Sequence, residues 1–319
     1  MNTSVFHSVV FGIFALMVYG GSWCVTGMVL SRAPRHGVDA GVFQGMASLV
    51  NVLFSLAVII SGQLLCHCSF DAVAAVFLND VIDAGFSYYG LRTMSLAMQC
   101  GPNGIIWGIA QSAMLIPFLA GCLFLGEQTS VWGLSGVGIL LAGVACFGLS
   151  KSNAVSETNC LWTWRRLAFL AMLLCGIGQT LTTLPSYFEA TREIPSPFRV
   201  TSTGCGTLLA MVLDTWRNQH PSNLPKGNSL LKNNLCNPLL WKYILLAQGI
   251  NLPLSYFLLY PGINVLGSHG LARISYPLMV GASIVAFTVA SRMHMKEKLS
   301  LPQFAALIFT LTGLALLCI

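Results

Sequence analysis

The chain has 319 residues, of which 55% are apolar and only 8% are charged. Ordinary soluble domains carry about 25% charged residues, so this composition excludes a typical soluble protein and predicts a polytopic membrane protein. The formal net charge of +6 comes from basic residues between apolar segments. The lipid bilayer is therefore the expected partner, and no nucleic-acid binding is expected.

The distribution of apolar segments predicts an all-α fold with ten transmembrane helices. About 20 apolar residues cross a bilayer, and ten segments meet this length, approximately 7–31, 43–65, 72–98, 102–126, 131–150, 167–190, 198–216, 240–261, 270–292 and 302–319. Five fall in residues 1–150 and five in residues 151–319. The longest connection, 217–239, is predicted to be a cytoplasmic loop. Prolines inside the segments predict kinks at Pro117, Pro185, Pro253 and Pro277.

The basic residues predict the orientation of the chain. Loops on one predicted side carry twelve Lys and Arg residues, whereas those on the other side carry only Arg192 and Arg199. Basic loops stay in the cytoplasm under the positive-inside rule. The chain is therefore expected to pass several times through the cell membrane (plasma or inner), with both termini on the non-cytoplasmic side.

The two halves contain similar short sequences. Ser87-Tyr88-Tyr89 corresponds to Ser255-Tyr256-Phe257 at an offset of 168, and Gly126-Glu127-Gln128-Thr129-Ser130 corresponds to Lys296-Glu297-Lys298-Leu299-Ser300 at an offset of 170. Because each repeat has five spans, an odd number, the second repeat must be inverted in the membrane relative to the first. Inverted repeats are common in secondary transporters, which bind solute near the midplane between the halves.

Two carboxylates, Asp80 and Asp83, lie inside the third predicted span. They are three residues apart, so they share one helix face, which Ser87 extends by a turn. A charged side chain at the bilayer centre costs about 2.5 kcal/mol or more and usually marks a pathway. Burial and mutual repulsion favour retention of one proton by such a pair. Asp80 and Asp83 are therefore predicted to couple protons or bind substrate; the alternative is that one of them only bonds a neighbouring helix.

Polar and aromatic residues near the centres of the other spans are candidates for a substrate cavity. The repeat places Gln248 opposite Asp80 and Asn251 opposite Asp83. Amides and aromatic faces suit a polyhydroxylated or zwitterionic solute, whereas the alternative role is hydrogen bonding between helices. The full set of candidates is Trp23, Asn51, Tyr88, Trp107, Gln111, Gln179, Gln248, Asn251, Tyr256 and Arg273.

The other charged residues in or near the spans, and one Cys-His-Cys sequence, are weighed against structural roles. Arg92 is expected to extend to the cytoplasmic interface, and Arg273 either to do the same or to pair with an inward carboxylate. Glu127 and Glu297 are expected to be structural. Cys66-His67-Cys68 lacks a partner cluster at metal-site spacing, so neither a metal nor a cofactor is expected.

The Gly-Glu-x-x-Ser pattern at residues 126–130, with its counterpart at 296–300, resembles the EamA-like modules of the drug/metabolite transporter superfamily. Tyr89-Gly90-Leu91 and His269-Gly270-Leu271-Ala272-Arg273 look most like the branch that contains the rhamnose–proton symporter and its sugar-uptake relatives. The resemblance covers nearly the whole chain. It implies a ten-helix fold of two inverted repeats and a function in solute uptake.

These observations predict a secondary transporter for a small, sugar-like polar metabolite, with proton symport as a candidate mechanism and a monomer or homodimer as the assembly. One alternative is an exporter of amino acids or other metabolites on the same fold. A more distant alternative is a membrane-embedded enzyme, but the two aspartates lie on one helix and no catalytic residue is assigned. The chain contains no G-x-x-x-x-G-K-[ST] loop for ATP.

Overall fold

The computed structural model describes residues 3–66, 68–149, 158–218, 230–290, 292–293 and 301–317. Within these residues the chain forms helices and no strands, which confirms the all-α prediction. The α-helices are α1 Thr3–Arg32, α2 Ala40–Gly62, α3 Phe70–Cys100, α4 Asn103–Gln111, α5 Leu115–Phe124, α6 Val131–Leu149, α7 Thr158–Thr183, α8 Glu189–Arg192, α9 Ser196–Asn218, α10 Leu230–Leu235, α11 Pro238–Leu254, α12 Tyr260–Ser268, α13 Ser275–Ala290 and α14 Leu301–Leu317.

Polar side chains fix the starts of several long helices. Asp39, Ser69 and Asn237 cap α2, α3 and α11 by accepting hydrogen bonds from backbone N–H groups of the first turn. These N–H groups have no partner inside the helix, so a cap stabilises each helix by about 1 kcal/mol. The backbone N–H of Asp39 also donates to Oδ1 of Asn234 at 2.7 Å, which joins the start of α2 to the end of α10.

Two predicted spans are interrupted near their centres. A 3₁₀ turn at Ser112–Met114 separates α4 from α5, and a π turn at Ser255–Leu259 separates α11 from α12. Pro117 follows the first interruption and Pro253 precedes the second. Proline removes a helical hydrogen bond and clashes with the preceding turn, so these residues account for the breaks. Both breaks lie beside residues predicted to bind solute.

Six segments of the described chain are long and apolar enough to cross a membrane: His7–His36, Ala40–Gly62, Asn103–Phe124, Thr163–Tyr187, Pro238–Ser268 and Ala272–Ala290. Large apolar side chains also face outward on several of them, including Phe14, Leu245 and Phe257, which are 64%, 76% and 71% exposed. An apolar surface of this kind requires a nonaqueous surrounding. The chain is therefore a membrane protein.

Helices α3 and α9 are long but more polar than these six segments. They carry the charged residues Asp80, Asp83, Arg92, Arg199 and Asp214, and they pack against each other. α7 covers another side of α3, and α2 covers another side of α9. The two helices can approach closely because Gly206 lies against the backbone of Val81. Both of these charge-bearing helices thus have further helices packed against them.

Candidate functional site

A central cavity of about 320 Å³ lies among the helices. Its wall is formed by α1, α2, α3, α4, α7, α9, α11, α12, α13 and the π turn, so both halves of the chain contribute. Ligand cavities commonly measure about 300–1,000 Å³, which places this one at the size of a small solute. Seven predicted cavity residues line it: Trp23, Asn51, Trp107, Gln111, Gln179, Gln248 and Asn251.

Several polar atoms of the wall have no hydrogen-bond partner within the described chain. They are Oδ1 of Asn51, Oε1 of Gln111, Oε1 of Gln179 and Nε1 of Trp107. Trp107, Gln111 and Gln179 are each more than nine-tenths buried. An unpaired buried polar group costs about 1–3 kcal/mol. The wall therefore offers amide and indole groups whose hydrogen-bonding capacity a bound solute can use.

Asn251 differs from these amides because its side chain is already paired. Its Oδ1 accepts from Oγ of Ser22 at 2.9 Å, and its Nδ2 donates to Oγ1 of Thr26 at 3.0 Å. Ser255 adds a bond from its Oγ to the Asn251 carbonyl at 2.8 Å. Asn251 thus connects α1 to the end of α11 and holds the wall at the break between α11 and α12.

Aromatic rings form one part of the wall. The ring centroid of Trp23 lies 5.8 Å from that of Tyr19 and 6.1 Å from that of Tyr276. Trp107 stacks on Phe287 at 4.8 Å, so Phe287 covers one of its faces. Aromatic rings pair through their edges and faces with gains of about 0.5–1.5 kcal/mol, so these contacts stabilise this side of the cavity.

Asp80 forms a buried ion pair that the sequence did not predict. Its Oδ1 lies 3.5 Å from Nη2 of Arg199, and the two side chains are 0% and 1% exposed. Nη2 of Arg199 also donates to the carbonyl of Thr182 at 2.7 Å, and its guanidinium lies over the Tyr260 ring, 4.4 Å from the centroid. Asn79 donates from Nδ2 to Oδ1 of Asp80 at 3.1 Å. Asp80 therefore has a fixed counterion.

The position of Arg199 corrects the sequence analysis, which counted this residue among the basic residues of a non-cytoplasmic loop. Arg199 instead lies inside α9, one turn beyond its start at Ser196. Its buried carboxylate and aromatic partners replace the water that a loop arginine would have. The count of basic residues on the predicted outer side consequently falls from two to one, which strengthens the charge asymmetry.

Asp83 has hydroxyl partners. Its Oδ2 lies 2.7 Å from Oγ1 of Thr182, and its Oδ1 lies 3.0 Å from Oγ of Ser87. Gly178 provides the space for this contact, because a Cβ atom there would meet Ser87 and would lie 3.0 Å from Oδ1 of Asp83. Asp80 and Asp83 are not part of the cavity wall; they lie behind it, whereas Ser87 reaches the wall.

A second ion pair joins α3 to α9 further along both helices. Arg92 pairs with Asp214, and Oη of Tyr88 donates to Oδ2 of Asp214 at 3.1 Å. The carboxylate partner of Arg92 was not predicted, and the Arg92 side chain is 20% exposed. The sequence signal for this pair was an acidic residue within the predicted span 198–216.

Three predicted cavity residues lie away from the wall. Tyr88 is buried beside Asp214, Tyr256 contacts the hydroxyl of Ser55, and Arg273 pairs with Glu127 at 3.4 Å. Burial raises the pKa of Glu127, and the Arg273 guanidinium opposes that shift. Of the two interpretations of Arg273, pairing with a carboxylate is the one observed. Glu297 lies outside the described residues.

Sequence reasoning missed a group of small polar and tyrosine side chains that complete the wall. Hydroxyl residues are common in membrane helices, so their types alone gave no signal. Their spacing on α9, with Thr203 and Thr207 one turn apart, was the available clue. The missed residues are Tyr19, Thr26, Ser48, Thr203, Thr207, Ser255, Tyr260 and Tyr276.

Comparison with known proteins gives a fold but no family. No family profile matches the chain, and no curated protein matches it. Among 21 matching chains of solved structure is the crystal structure of a protein with a TM-score of 0.58 and 14% sequence identity. That alignment covers 97% of this chain and 96% of the other. At this identity the similarity shows a shared fold alone.

Proposed function

We propose that this chain is a secondary transporter of a small, uncharged, polyhydroxylated solute such as a sugar. The observation that carries the proposal is the central cavity, where amide and indole groups without partners in the described chain lie beside a buried cluster of charges. A solute that hydrogen bonds these groups offsets the free-energy cost of their burial.

The proposed architecture is ten membrane-spanning helices in two inverted repeats, residues 1–150 and 151–319. Helix packing supports it. The contact of α1 with α13 corresponds to the contact of α7 with α4 and α5. The contact of α3 with α7 likewise corresponds to the contact of α1 with α11 and α12. When the two halves of the chain are exchanged, each of these contacts is replaced by its counterpart. The contacts of α2 with α9 and of α6 with α14 are unchanged by the exchange. An inverted repeat has this property.

The composition of the wall favours a neutral solute over the alternative, an exported amino acid. No Asp, Glu, Lys, Arg or His is among the described residues that line the cavity. A zwitterion would bring two charges into a site that offers no opposite charge on its surface, at a cost in desolvation. Hydroxyl groups of a sugar, in contrast, match neutral donors and acceptors.

The ion pair of Asp80 also weighs against the alternative of a membrane-embedded enzyme. Catalysis by two aspartates requires both carboxylates to share one water, but Asp80 is paired with Arg199 and Asp83 with two hydroxyls.

Proton coupling through the aspartates, inward transport and non-cytoplasmic termini are parts of the same transporter proposal. The charge asymmetry of the loops supports the orientation.

Binding and exchange assays test the function. Purified protein is screened by thermal shift against monosaccharides, polyols and amino acids, and any stabilising solute is then tested for counterflow in proteoliposomes. We expect stabilisation by a neutral sugar or polyol. Stabilisation and counterflow by amino acids alone would contradict the proposed substrate class, and counterflow by none of these solutes would contradict transport.

Two variants and one control connect the assay to the cavity. Gln111→Leu and Gln179→Leu each remove an amide from the wall, so solute affinity is expected to fall about tenfold, the equivalent of 1.4 kcal/mol. Gln99→Leu makes the same change at an exposed position of α3 and should leave affinity unchanged.

The proposed orientation has a separate test. A reporter that works only in the cytoplasm should remain inactive when it is fused to the C-terminus.

A further inference from the structure

We infer that Asp83, and not Asp80, carries the coupling proton, and that Thr182 is a positioning residue that links the protonation of Asp83 to the cavity. This inference rests on the proposed transport function and assigns its coupling site to one residue. The site is formed by Asp83, Ser87, Thr182 and the backbone carbonyl of Gly178.

The first argument is the unequal distribution of positive charge around the two carboxylates. In the part of the chain that the structure describes, three ion pairs occur, and Asp83 belongs to none of them. Asp80 has the Arg199 guanidinium, whose Nη2 and planar face are held by Thr182 and Tyr260. One cation thus serves two buried carboxylates, and it is bound to Asp80.

The second argument is the cost of a buried charge. Asp83 is 4% exposed. A buried carboxylate without a paired cation is strongly disfavoured in its charged form, whereas the protonated form is neutral. If Asp80 stays ionised opposite Arg199, protonation of Asp83 makes the whole cluster neutral. Asp83 is therefore the carboxylate that gains most from a proton.

The third argument is the geometry of the Thr182 hydroxyl. Oγ1 of Thr182 lies 2.7 Å from Oδ2 of Asp83 and 3.1 Å from the carbonyl of Gly178. The hydroxyl has one hydrogen, so it can donate fully to only one of these acceptors at a time. Two alternative hydrogen-bond arrangements are thus available, and each fits one protonation state of Asp83.

In the protonated state, the Asp83 O–H donates to Oγ1 of Thr182, and the Thr182 O–H donates to the Gly178 carbonyl. Asp83 lies behind the wall, so its proton leaves by way of the Ser87 hydroxyl, which bonds Asp83 and lines the cavity, and the Thr182 O–H turns to donate to Oδ2 of Asp83. The Gly178 carbonyl then keeps its backbone partner in α7. One proton leaves, the hydrogen bond from Thr182 to the Gly178 carbonyl is exchanged for one to Asp83, and no polar group loses its last partner.

The site is connected to the cavity wall on two sides. Ser87 bonds Asp83 and lines the cavity. Tyr276 also lines the cavity, and its hydroxyl lies near that of Thr182. A change in the direction of the Thr182 hydroxyl therefore changes which lone pair of Oγ1 faces the Tyr276 hydroxyl, a group that touches the solute space. This contact provides the physical link between proton binding and solute binding.

Other titratable groups face Asp83 from the surrounding helices. Tyr19 of α1, Cys175 of α7, Tyr260 of α12 and Tyr276 of α13 are close enough to interact with it electrostatically. The charged neighbours are Asp80 on α3 and Arg199 on α9, which pair with each other. The pair of Asp80 with Arg199 leaves Asp83 as the group of this cluster that exchanges a proton.

Infrared spectroscopy of the purified full-length protein tests the assignment without any solute. A protonated carboxyl group has a carbonyl stretching band distinct from that of a carboxylate. We expect this band at neutral pH in the wild type, its loss in Asp83→Asn and its retention in Asp80→Asn. Loss of the band in Asp80→Asn with retention in Asp83→Asn, or absence of the band in the wild type, would overturn the assignment.

Transport assays with an imposed pH gradient test the coupling role. Asp83→Asn should reduce uphill accumulation at least tenfold and reduce counterflow much less, whereas Gly85→Ala, on the same helix with open space beside it, should change neither. Failure of the wild type to exchange any solute would contradict the proposed function. Uphill accumulation by Asp83→Asn at the wild-type level would contradict the inference alone.

The role of Thr182 has its own test. Thr182→Val preserves the shape of the side chain and removes the hydroxyl, so we expect the pH profile of accumulation to shift and the protein to remain folded. Thr182→Ser restores the hydroxyl and should restore the profile. An unchanged pH profile in the valine variant, measured on protein with the wild-type melting temperature, would exclude the positioning role.

Discussion

The two ends of the α3–α9 pair have opposite charge arrangements. At one end α3 supplies the carboxylate, Asp80, and α9 supplies the cation, Arg199; at the other end α3 supplies the cation, Arg92, and α9 the carboxylate, Asp214. The pairs are separated by about 18 Å along α3 and about 22 Å along α9, at 1.5 Å per residue. Such a pattern permits one direction and one register of the two helices.

The ends differ in their access to solvent. The side chains of Asp80 and Arg199 are 0% and 1% exposed, whereas those of Arg92 and Asp214 are 20% and 12% exposed. Water stabilises unpaired charges, so loss of one partner is costly at the first end and much less costly at the second. Breaking an Asp–Arg pair is therefore expected to cost more stability at the buried end than at the exposed end.

The largest effect is expected from Arg199→Gln. This change leaves Asp80 as a buried carboxylate without a counterion, and breaking a buried pair in this way costs about 3–5 kcal/mol. The melting temperature in detergent measures the loss. The double variant Asp80→Asn/Arg199→Gln removes the stranded charge and should melt above Arg199→Gln. If Arg199→Gln melted at the same temperature as the wild type, loss of one partner would not be more costly at the buried end than at the exposed end.

Gly206→Ala tests the helix contact between the two ion pairs. A Cβ atom at this position would lie 2.6 Å from the Val81 carbonyl oxygen, so α3 and α9 must separate, at a cost of about 1–3 kcal/mol. Gly85→Ala is the matched control on α3, where nothing lies within 4 Å. It should stabilise the helix by about 0.5–1 kcal/mol. Similar melting temperatures for both alanine variants would argue against close packing at Gly206.

A smaller effect is expected at the more exposed end. Arg92→Gln or Asp214→Asn should cost about 1 kcal/mol, since water and salt compete with this pair. The loss should shrink as salt rises from 0.1 to 1 M, where the Debye length falls from about 10 Å to about 3 Å. The cost of Arg199→Gln should not change with salt. Melting temperatures across the salt series compare the two ends directly.

The sequence predicts features that depend on neighbours along the chain. Helices occur where the apolar segments were long, because the length and hydropathy of a segment are local properties. Amides such as Gln111 and Gln179 stood out because a polar group is rare at the centre of an apolar segment. Pro253 indicated a kink because proline removes a hydrogen bond of its own helix, although the π turn that follows it was not predicted.

The ion pairs could not be predicted because they depend on which helices are neighbours. Arg199 lies 119 residues from Asp80 along the chain, and near the start of its span it had the same signature as a loop residue. Asp214 similarly acquires its role from Arg92 on another helix. Residue type and spacing locate charges along a span, but only packing shows whether a charge meets a partner or water.

The smallest effect is expected from Glu127→Gln, at a third pair whose carboxylate lies outside the candidate spans. Glu127 accepts a hydrogen bond from the backbone N–H of Arg273 at 3.1 Å and pairs with its guanidinium at 3.4 Å. Burial nevertheless raises the pKa of Glu127 above its ordinary value of 4.5. The folded protein therefore holds this proton more tightly than the unfolded chain does, and glutamine mimics the protonated form.

The sign of the pH dependence follows from that shift. Below pH 4.5 the carboxyl is protonated in both states, so the wild type and Glu127→Gln should melt at similar temperatures. As the pH rises through the raised pKa, the unfolded chain releases its proton first, and the wild type loses stability relative to the variant. Melting temperatures of both proteins at several pH values from 4 to about 8 measure the difference. A wild type that instead gains stability over the variant with rising pH would show that the Arg273 guanidinium outweighs burial.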